Sequence, residues 1–182
     1  MENTKPNYSS FWSNIFNKKI KHSDLTEILL EIPVFSGLQL PAIKEIVSLL
    51  HQRQFAPNEY IFKKGAPGIG LYIITEGEVQ IEISNDAEHP IIMAEFSKGD
   101  FFGELALLDG ETRSGSAKAK TEVMASVLFK PDLDHLIAKR PKDGIAILNG
   151  FSKTLASRLR NLNEDYYQLY NENQKYKEKK NG

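Results

Sequence analysis

The sequence predicts a mainly β fold with flanking helices, in which a jelly-roll-like β-roll precedes a long C-terminal helix. Between residues 53 and 130, glycines separate short runs of alternating apolar and polar residues, a pattern typical of strands joined by turns. Apolar residues recur at helical spacing on both sides of this region. A chain of 182 residues with 41% hydrophobic content can build one well-packed domain.

The composition excludes several classes of protein. A net charge of −1 gives no overall field that favours nucleic acid. The chain has no cysteine, which removes disulfides, thiolate catalysis and the common structural zinc sites, and its four histidines lack ligand spacing, so no metal is expected. Because there is no signal-peptide pattern and no apolar run that could span a membrane, the sequence predicts a cytoplasmic protein.

Residues 1–22 are expected to form a polar tail and a short amphipathic helix. Four large apolar residues precede a basic end in this stretch: Phe11, Trp12, Ile15 and Phe16. Two interpretations stay open. The helix could anchor the protein to a membrane surface or a partner, or it could fold back and bury its aromatic side chains on the domain, which the shortness of the stretch favours.

Two further helices are predicted before the strands begin. Ser23 can cap a helix from Asp24 to about Leu30, which Pro33 ends. Pro41 suits the first turn of a second helix. The apolar residues of that helix follow the i, i+3, i+4, i+7 spacing and are Ile43, Ile46, Val47 and Leu50.

Six strands are predicted in the central region. They cover residues 60–62, 71–75, 78–83, 91–96, 116–119 and 123–129. In the third strand the alternation is strict, with Val79, Ile81 and Ile83 facing inward and Glu78, Gln80 and Glu82 facing outward. Gly77 is expected to form a hairpin turn.

The stretch Gly99–Ala119 interrupts the strands with a short apolar run suited to one or two helical turns. A glycine allows close backbone approach to a ligand, and a helix start presents free N–H groups to an anion. Arg113 offers a planar charged fork for phosphate oxygens. Glu104 would be repelled by phosphate and therefore needs a hydrogen-bond donor such as a sugar hydroxyl. An anion, a hydroxyl and an apolar wall together describe a nucleotide.

The segment FGELALL…RSGSA (102–108 and 113–117) resembles the phosphate-binding cassette of the cyclic nucleotide-binding domain family. That family includes the catabolite activator protein and the regulatory subunits of protein kinase A. Upstream segments with similar signatures extend the resemblance to about residues 30–165, and they are IPVFSGL (32–38), EYIFKKGAPG (59–68) and LYIITEGEV (71–79). The resemblance implies an N-terminal helical bundle and a cassette helix that holds phosphate.

The resemblance also assigns ligand contacts. Glu104 is expected to accept the ribose 2′-hydroxyl and Arg113 to pair with the cyclic phosphate. The remaining cassette residues expected at the ligand are Phe102, Gly103, Leu105, Ala106, Ser114 and Gly115. Ser114 resembles the serine of members that bind cyclic AMP, so cyclic AMP is expected over cyclic GMP. Taken singly, Glu104 and Arg113 could instead form a surface ion pair, and Phe101 and Phe102 could belong to the core.

The last region predicts helices over Pro131–Ala138 and from Pro141 to about Tyr176, followed by a basic, disordered tail to Gly182. Within the long helix, Gly144 and Gly150 are the expected hinge points. A near-heptad stripe follows the helix and comprises Leu148, Phe151, Leu155, Leu159, Leu162, Tyr166 and Leu169. This stripe could pack on the roll or form a homodimer seam, which the distal half favours. The cyclic nucleotide-binding domain is expected over residues 23–165, and residues 166–182 extend the helix.

The resemblance places three further residues of the long helix near the nucleotide base. Arg158 is expected to approach the base from a position off the apolar stripe. Leu162 and Asn163 occupy neighbouring family positions, and a leucine where the family has a polar residue weakens the expected hydrogen bond to adenine.

The sequence therefore predicts a stand-alone sensor, similar to the bacterial members of the family, that binds a cyclic mononucleotide and signals to a partner through its C-terminal helix. Two alternatives stay open: a domain of this fold that no longer binds nucleotide, and a transcription factor of the catabolite-activator type without its DNA-binding part. DNA binding is not expected, because a lysine-rich tail stands where a helix-turn-helix would follow. No catalytic constellation is present, so an enzyme is not expected.

Overall fold

The computed structural model describes residues 21–83 and 90–181, with side chains through Lys177. The predicted amphipathic helix before residue 21 lies outside the described residues. The helices are α1 (His22–Glu31), a 3-10 turn (Pro33–Phe35), α2 (Leu40–Leu49), α3 (Glu104–Asp109), α4 (Lys130–Lys139) and α5 (Pro141–Asn181). The strands are β1 (His51–Phe55), β2 (Tyr60–Phe62), β3 (Gly70–Glu76), β4 (Val79–Ile83), β5 (Ile91–Phe96), β6 (Phe101–Phe102), β7 (Ser116–Ala119) and β8 (Val123–Phe129).

The strands form two four-stranded antiparallel sheets, which confirms the predicted β-roll with flanking helices. One sheet has the order β1-β8-β3-β6 and the other has the order β2-β7-β4-β5. The six predicted strands are present, and the structure adds β1 and β6. The polar sequence of β1 carries little strand signal, and its register is set by pairing with β8, where Arg53 lies opposite Ala125.

The turn at Gly77 was predicted as a hairpin, and that prediction is wrong because β3 and β4 belong to different sheets. The chain crosses here from one sheet to the other. Gly77 adopts φ +89°, and a Cβ atom at this position would lie 2.2 Å from the carbonyl oxygen of Glu122. The glycine is therefore required by a left-handed backbone and by a close contact.

The described residues form two hydrophobic cores, and strands β3, β6 and β8 contribute to both of them. One core joins the N-terminal helices, α4, α5 and one face of the first sheet, and it includes Ile73 and Phe101. The other fills the roll between the sheets and includes Ile74 and Phe102. Successive side chains of a strand point to opposite faces. Ile73 and Ile74 of β3 therefore belong to different cores, and so do Phe101 and Phe102 of β6.

Glu82 was predicted to face outward into solvent, but its side chain is buried. Its carboxylate accepts hydrogen bonds from the Tyr60 hydroxyl at 2.6 Å and from Gln80 Nε2 at 3.1 Å. Alternation alone does not show this, because the covering side chain comes from β2 across the sheet. A buried carboxylate is tolerated here because both of its oxygens are hydrogen-bonded.

Helix α1 begins at His22, and Ser23 is not its N-cap. Lys21 occupies the cap position without a side-chain hydrogen bond, while the Ser23 hydroxyl bonds to Asp24 Oδ1 at 3.0 Å. The predicted helix is present, but its capping residue was predicted wrongly.

Helix α5 begins after a break at Arg140, as the sequence predicts, and then continues to Asn181. The predicted disordered tail is therefore wrong as far as Asn181, since residues 151–181 contain no glycine or proline and their lysines and glutamates favour helix. Gly150 lies against the 3-10 turn, where a Cβ atom would stand 2.1 Å from the Val34 carbonyl oxygen.

Within the described residues, no helix has the length and apolar character needed to cross a membrane.

Candidate functional site

A cavity of about 300 Å³ lies between the cassette, the inner face of the second sheet and α5. All nine residues predicted at the ligand line this cavity, and they are Phe102, Gly103, Glu104, Leu105, Ala106, Arg113, Ser114, Gly115 and Arg158. Leu162 also lines the cavity, whereas Asn163 is exposed and is not among the described lining residues. The cassette and the long helix, which are distant in sequence, therefore meet at one site.

Arg113 is buried, with only 3% of its surface exposed. Its Nη1 donates to the Gly103 carbonyl and its Nη2 to the Gly70 carbonyl, both at 2.7 Å. The guanidinium carbon lies 4.2 Å from the ring centre of Phe62. The buried Nε has no hydrogen-bond partner among the described residues. The side chain is thus fixed by the backbone and still has an unused donor.

Burial lowers the pKa of Arg113, and the nearby Tyr72 and Glu104 oppose this shift. A guanidinium starts from a pKa far above neutrality, so Arg113 carries a buried positive charge. No carboxylate within the described chain forms an ion pair with it. The alternative that Arg113 and Glu104 form a surface ion pair is therefore wrong, since both are buried and each has other partners.

The backbone of Arg113 is held by the loop that follows β2. Its N–H donates to the Ala66 carbonyl and its carbonyl accepts from the Gly65 N–H, both at 2.9 Å. The Ser116 hydroxyl accepts from the Lys64 N–H at 3.0 Å. These bonds fix the direction in which the arginine enters the cavity.

Gly103 caps α3 in the left-handed region at φ +84°. A Cβ atom here would lie 2.6 Å from Arg113 Nη1 and 3.1 Å from the Gly70 carbonyl oxygen. Any larger residue would therefore strain the backbone and displace the arginine.

Glu104 is 5% exposed and pairs with Arg158 of α5. Arg158 Nη1 donates to Glu104 Oε1 at 2.5 Å, and Nη2 donates to the Phe101 carbonyl at 2.9 Å. The guanidinium carbon also lies over the rings of Phe96 and Phe101, at 5.2 and 4.8 Å. Arg158 therefore lies against the roll, and its charged partner in this structure is the carboxylate of the cassette.

An aromatic wall completes the cavity. Phe102 belongs to the core, which was one of the two interpretations of this residue, and it also lines the cavity. Its ring stacks with those of Tyr72 and Phe96, with ring centres 5.3 and 6.1 Å apart. Sequence reasoning missed the other wall residues, which are Phe62, Ile81, Met93, Ala94 and Phe96. Strand alternation is the signal that could have found most of them. Met93 lies at an irregularity, because Ile81 pairs with Ala94 while Glu82 pairs with Ile92.

Residues 52–140 match the family model described as "Cyclic nucleotide-binding domain". The chain thus carries a domain of the cyclic nucleotide-binding family, a class of regulatory domains.

Among curated proteins, a cAMP-dependent protein kinase regulatory subunit of Emericella nidulans is 36% identical over 59% of this chain and 25% of its own length. A CRP-like cAMP-activated global transcriptional regulator of Mycobacterium tuberculosis is 32% identical over 80% of this chain and 63% of its own length. The chain spans between 25% and 63% of the length of the first curated relatives it matches.

Among solved structures, a cyclic nucleotide-binding domain from Methylobacillus flagellatus KT superposes with a TM-score of 0.68 at 25% identity, covering 76% of this chain and 78% of that one.

Proposed function

We propose that the chain is a sensor that binds a cyclic mononucleotide in the cavity between the cassette and α5. The observation that carries this proposal is the buried charge of Arg113, which has an unused donor and no acidic partner in the described chain. A buried charge is costly unless an opposite charge or hydrogen bonds compensate it. A cyclic phosphate would supply both.

Each remaining group has a role in this proposal. Glu104 accepts the ribose 2′-hydroxyl, and Ser114 and Gly115 contribute to the phosphate cradle. The aromatic and aliphatic wall contacts the base. Gly103, Leu105 and Ala106 close the cavity on the cassette side, and Arg158 reaches the ligand from α5 beside Leu162.

Cyclic AMP is the proposed ligand, in preference to cyclic GMP. Support comes from Ser114 after the cassette arginine and from relatives whose names state dependence on or activation by cAMP. Recognition of guanine would require the protein to supply both a hydrogen-bond donor and an acceptor to the edge of the base. The wall in this cavity is largely apolar.

Signalling is proposed to run through α5 to a downstream partner. Arg158 bonds to the same carboxylate that would accept the ribose hydroxyl, so ligand and helix compete for, or share, one group. A ligand that interacts differently with two helix positions shifts the balance between them.

We further propose that the exposed face of α5 pairs with a second copy of the chain, which would couple ligand binding and association reciprocally.

Isothermal titration calorimetry with cyclic AMP and cyclic GMP tests the ligand. Arg113→Ala should lower affinity by about 30-fold to several thousand-fold, equivalent to roughly 2–5 kcal/mol for one member of a desolvated charge pair. Arg53→Ala is the matched control, because Arg53 is an exposed arginine of β1 that does not line the cavity. Equal affinities of wild type and Arg113→Ala would overturn the site, and no binding of either nucleotide would favour a domain of this fold without ligand.

A further inference from the structure

A groove of about 550 Å³ lies between helices α1 and α2, and its lining shares no residue with the nucleotide cavity. Helix α2 lines it with Leu40, Lys44 and Val47, whose spacing of four and three residues places them on one face of the helix. Helix α1 lines it with its first two turns, including Thr26 and Glu27. Pockets of roughly 300–1,000 Å³ enclose drug-sized ligands, so this groove has room for more than one large side chain.

Two large apolar side chains beside the groove are exposed. Leu40 is 46% exposed, and Leu30, which follows Thr26 by four residues and continues the same face of α1, is 48% exposed. The other large apolar residues of the two helices belong to the core or pack against it. Leu30 and Leu40 thus extend the groove into an apolar face that the described residues leave uncovered.

The chain just before α1 supplies an apolar segment that fits this face. Its four large apolar residues follow the spacing i, i+1, i+4, i+5, which places them on one side of a helix, and they are Phe11, Trp12, Ile15 and Phe16. The segment itself lies outside the described residues. Burial removes about 150–250 Å² of an aromatic side chain from water, and apolar burial is the dominant favourable contribution to association. Covering the groove would therefore stabilise the segment there.

The connection between this segment and the groove is short. Lys21 is the N-cap residue of α1, and the adjoining His22 already lines the groove. Only residues 17–20 separate Phe16 from Lys21, and connections of about 2–8 residues commonly join packed helices. A short tether gives an effective concentration on the order of millimolar, which favours the segment over any separate occupant.

The charges on the two sides are complementary. Helix α1 contains Asp24, Glu27 and Glu31 and has no lysine or arginine. The apolar segment is followed by Lys18 and Lys19. A segment that folds back over α1 therefore brings its basic end beside an acidic helix, where exposed ion pairs add a small favourable term. The same acidic residues oppose the approach of an anionic membrane surface.

We infer that residues 11–16 fold back and occupy the groove between α1 and α2. The apolar face of the segment then covers Leu30 and Leu40, and the lysines that follow it lie beside Glu27. The groove is distinct from the nucleotide cavity, and its occupation does not depend on the proposed function.

Fluorescence of Trp12 tests this inference, because the chain has a single tryptophan. In the full chain its emission should be blue-shifted relative to free tryptophan amide, and acrylamide should quench it weakly. Leu40→Lys should shift the ratio of bound to released segment at least about tenfold toward release, since an ammonium group would be buried. Quenching should then move toward the value of the urea-unfolded chain. Leu169→Lys, at an exposed leucine in the distal part of α5, is the matched control.

A second pair of variants acts from the segment and keeps the test valid if Leu40→Lys fails to fold. Ile15→Lys places a charge on the apolar face and should increase quenching of Trp12. Asn14→Lys adds the same charge one residue earlier, off this face, and should leave quenching as in wild type. If both segment variants behave alike, the apolar face does not hold the segment and the inference is wrong.

Other outcomes would also contradict the groove as the binding site. A protected Trp12 that folded Leu40→Lys does not release would lie elsewhere on the domain. A blue shift that appears only with vesicles of phosphatidylcholine and phosphatidylglycerol would assign the segment to a membrane surface. Protection that disappears on dilution, or in Leu169→Lys, would assign it to a contact between two copies. Nucleotide titration reads a different site, so its failure would overturn the proposed function and leave the groove assignment standing.

Discussion

The two arginines that line the cavity are held in opposite ways. Arg113 is buried in the roll, and two backbone carbonyls fix its guanidinium. Arg158 stands on a helix, has a side chain that is 35% exposed and bonds to the Glu104 carboxylate. The site therefore combines a fixed half, which the roll preorganises, with a half that moves whenever α5 moves. Preorganised groups contribute to affinity because little conformational entropy is lost when they bind. A group on a separate element can transmit ligand binding as a movement of that element.

Gly103→Ala tests how far affinity depends on the fixed half of the site, and its expected effect is the largest after that of Arg113→Ala. The new Cβ atom would displace the Arg113 fork and add about 1–2 kcal/mol of left-handed backbone strain. Affinity for cyclic AMP should fall by more than about tenfold in calorimetry. Gly110→Ala is the matched control, since Gly110 also has a positive φ, at +77°, but nothing lies near its Cβ position. If both variants bind alike, the contact with Arg113 does not matter for affinity.

Arg158→Ala tests the movable half. It leaves the buried Glu104 without its cationic partner, and we expect affinity to fall by about five- to thirtyfold, which is less than for Arg113→Ala because Arg158 is partly solvated. The helix should also become easier to displace, as hydrogen exchange along residues 150–165 would detect. Arg160→Ala, on the exposed side of the same helix, provides the comparison. Unchanged affinity together with unchanged exchange would remove Arg158 from the coupling.

Ser126→Ala addresses the roll without touching the ligand. The Ser126 hydroxyl is buried in β8 and lacks a hydrogen-bond partner within the described residues. Its removal should raise the free energy of unfolding by about 1 kcal/mol, since an unsatisfied buried polar group is lost. Chemical denaturation measures this change, and ligand affinity should stay as in wild type. A destabilised variant would mean that the hydroxyl is bonded after all.

The smallest effect concerns alkaline pH. The hydrogen bond to Glu82 raises the pKa of Tyr60 above its usual value near 10, with burial adding to the shift. The unfolded chain therefore ionises this phenol first, so its contribution to stability is complete below about pH 10 and declines as pH rises further. Tyr60→Phe should flatten the alkaline part of the stability curve. Absorbance titration near 295 nm reports the phenol directly, and a Tyr60 that ionises with the other tyrosines would contradict the shift.

Sequence reasoning located the cassette side of the cavity because the polar groups on that side are close together in the sequence, whereas Arg158 was placed there only by the family resemblance. Gly103, Glu104 and Arg113 lie in one short segment, where spacing and chemistry can be recognised together. The aromatic wall comes from strands β2, β5 and β6, and only the register of the two sheets brings these residues to one place.

The errors in the fold have the same physical origin. Gly77 was assigned to a hairpin because local signals do not reveal that neighbouring strands separate into different sheets. Glu82 was expected at the surface because its cover, Tyr60, comes from another strand. Phe151 was predicted in the near-heptad stripe of the long helix but is buried in the core, because heptad spacing does not show which members of a stripe pack on their own domain. In each case the deciding contact is non-local.

The two carbonyl contacts of Arg113 also have an evolutionary consequence. The same guanidinium that would bind a phosphate braces Gly103 and Gly70, which lie far apart in sequence. A descendant that no longer needed its ligand would still lose stability by replacing this arginine, so selection for folding alone can preserve it. The decay of ligand binding in such a lineage should begin at residues that have no structural duty, such as the exposed Ser114, while the arginine persists.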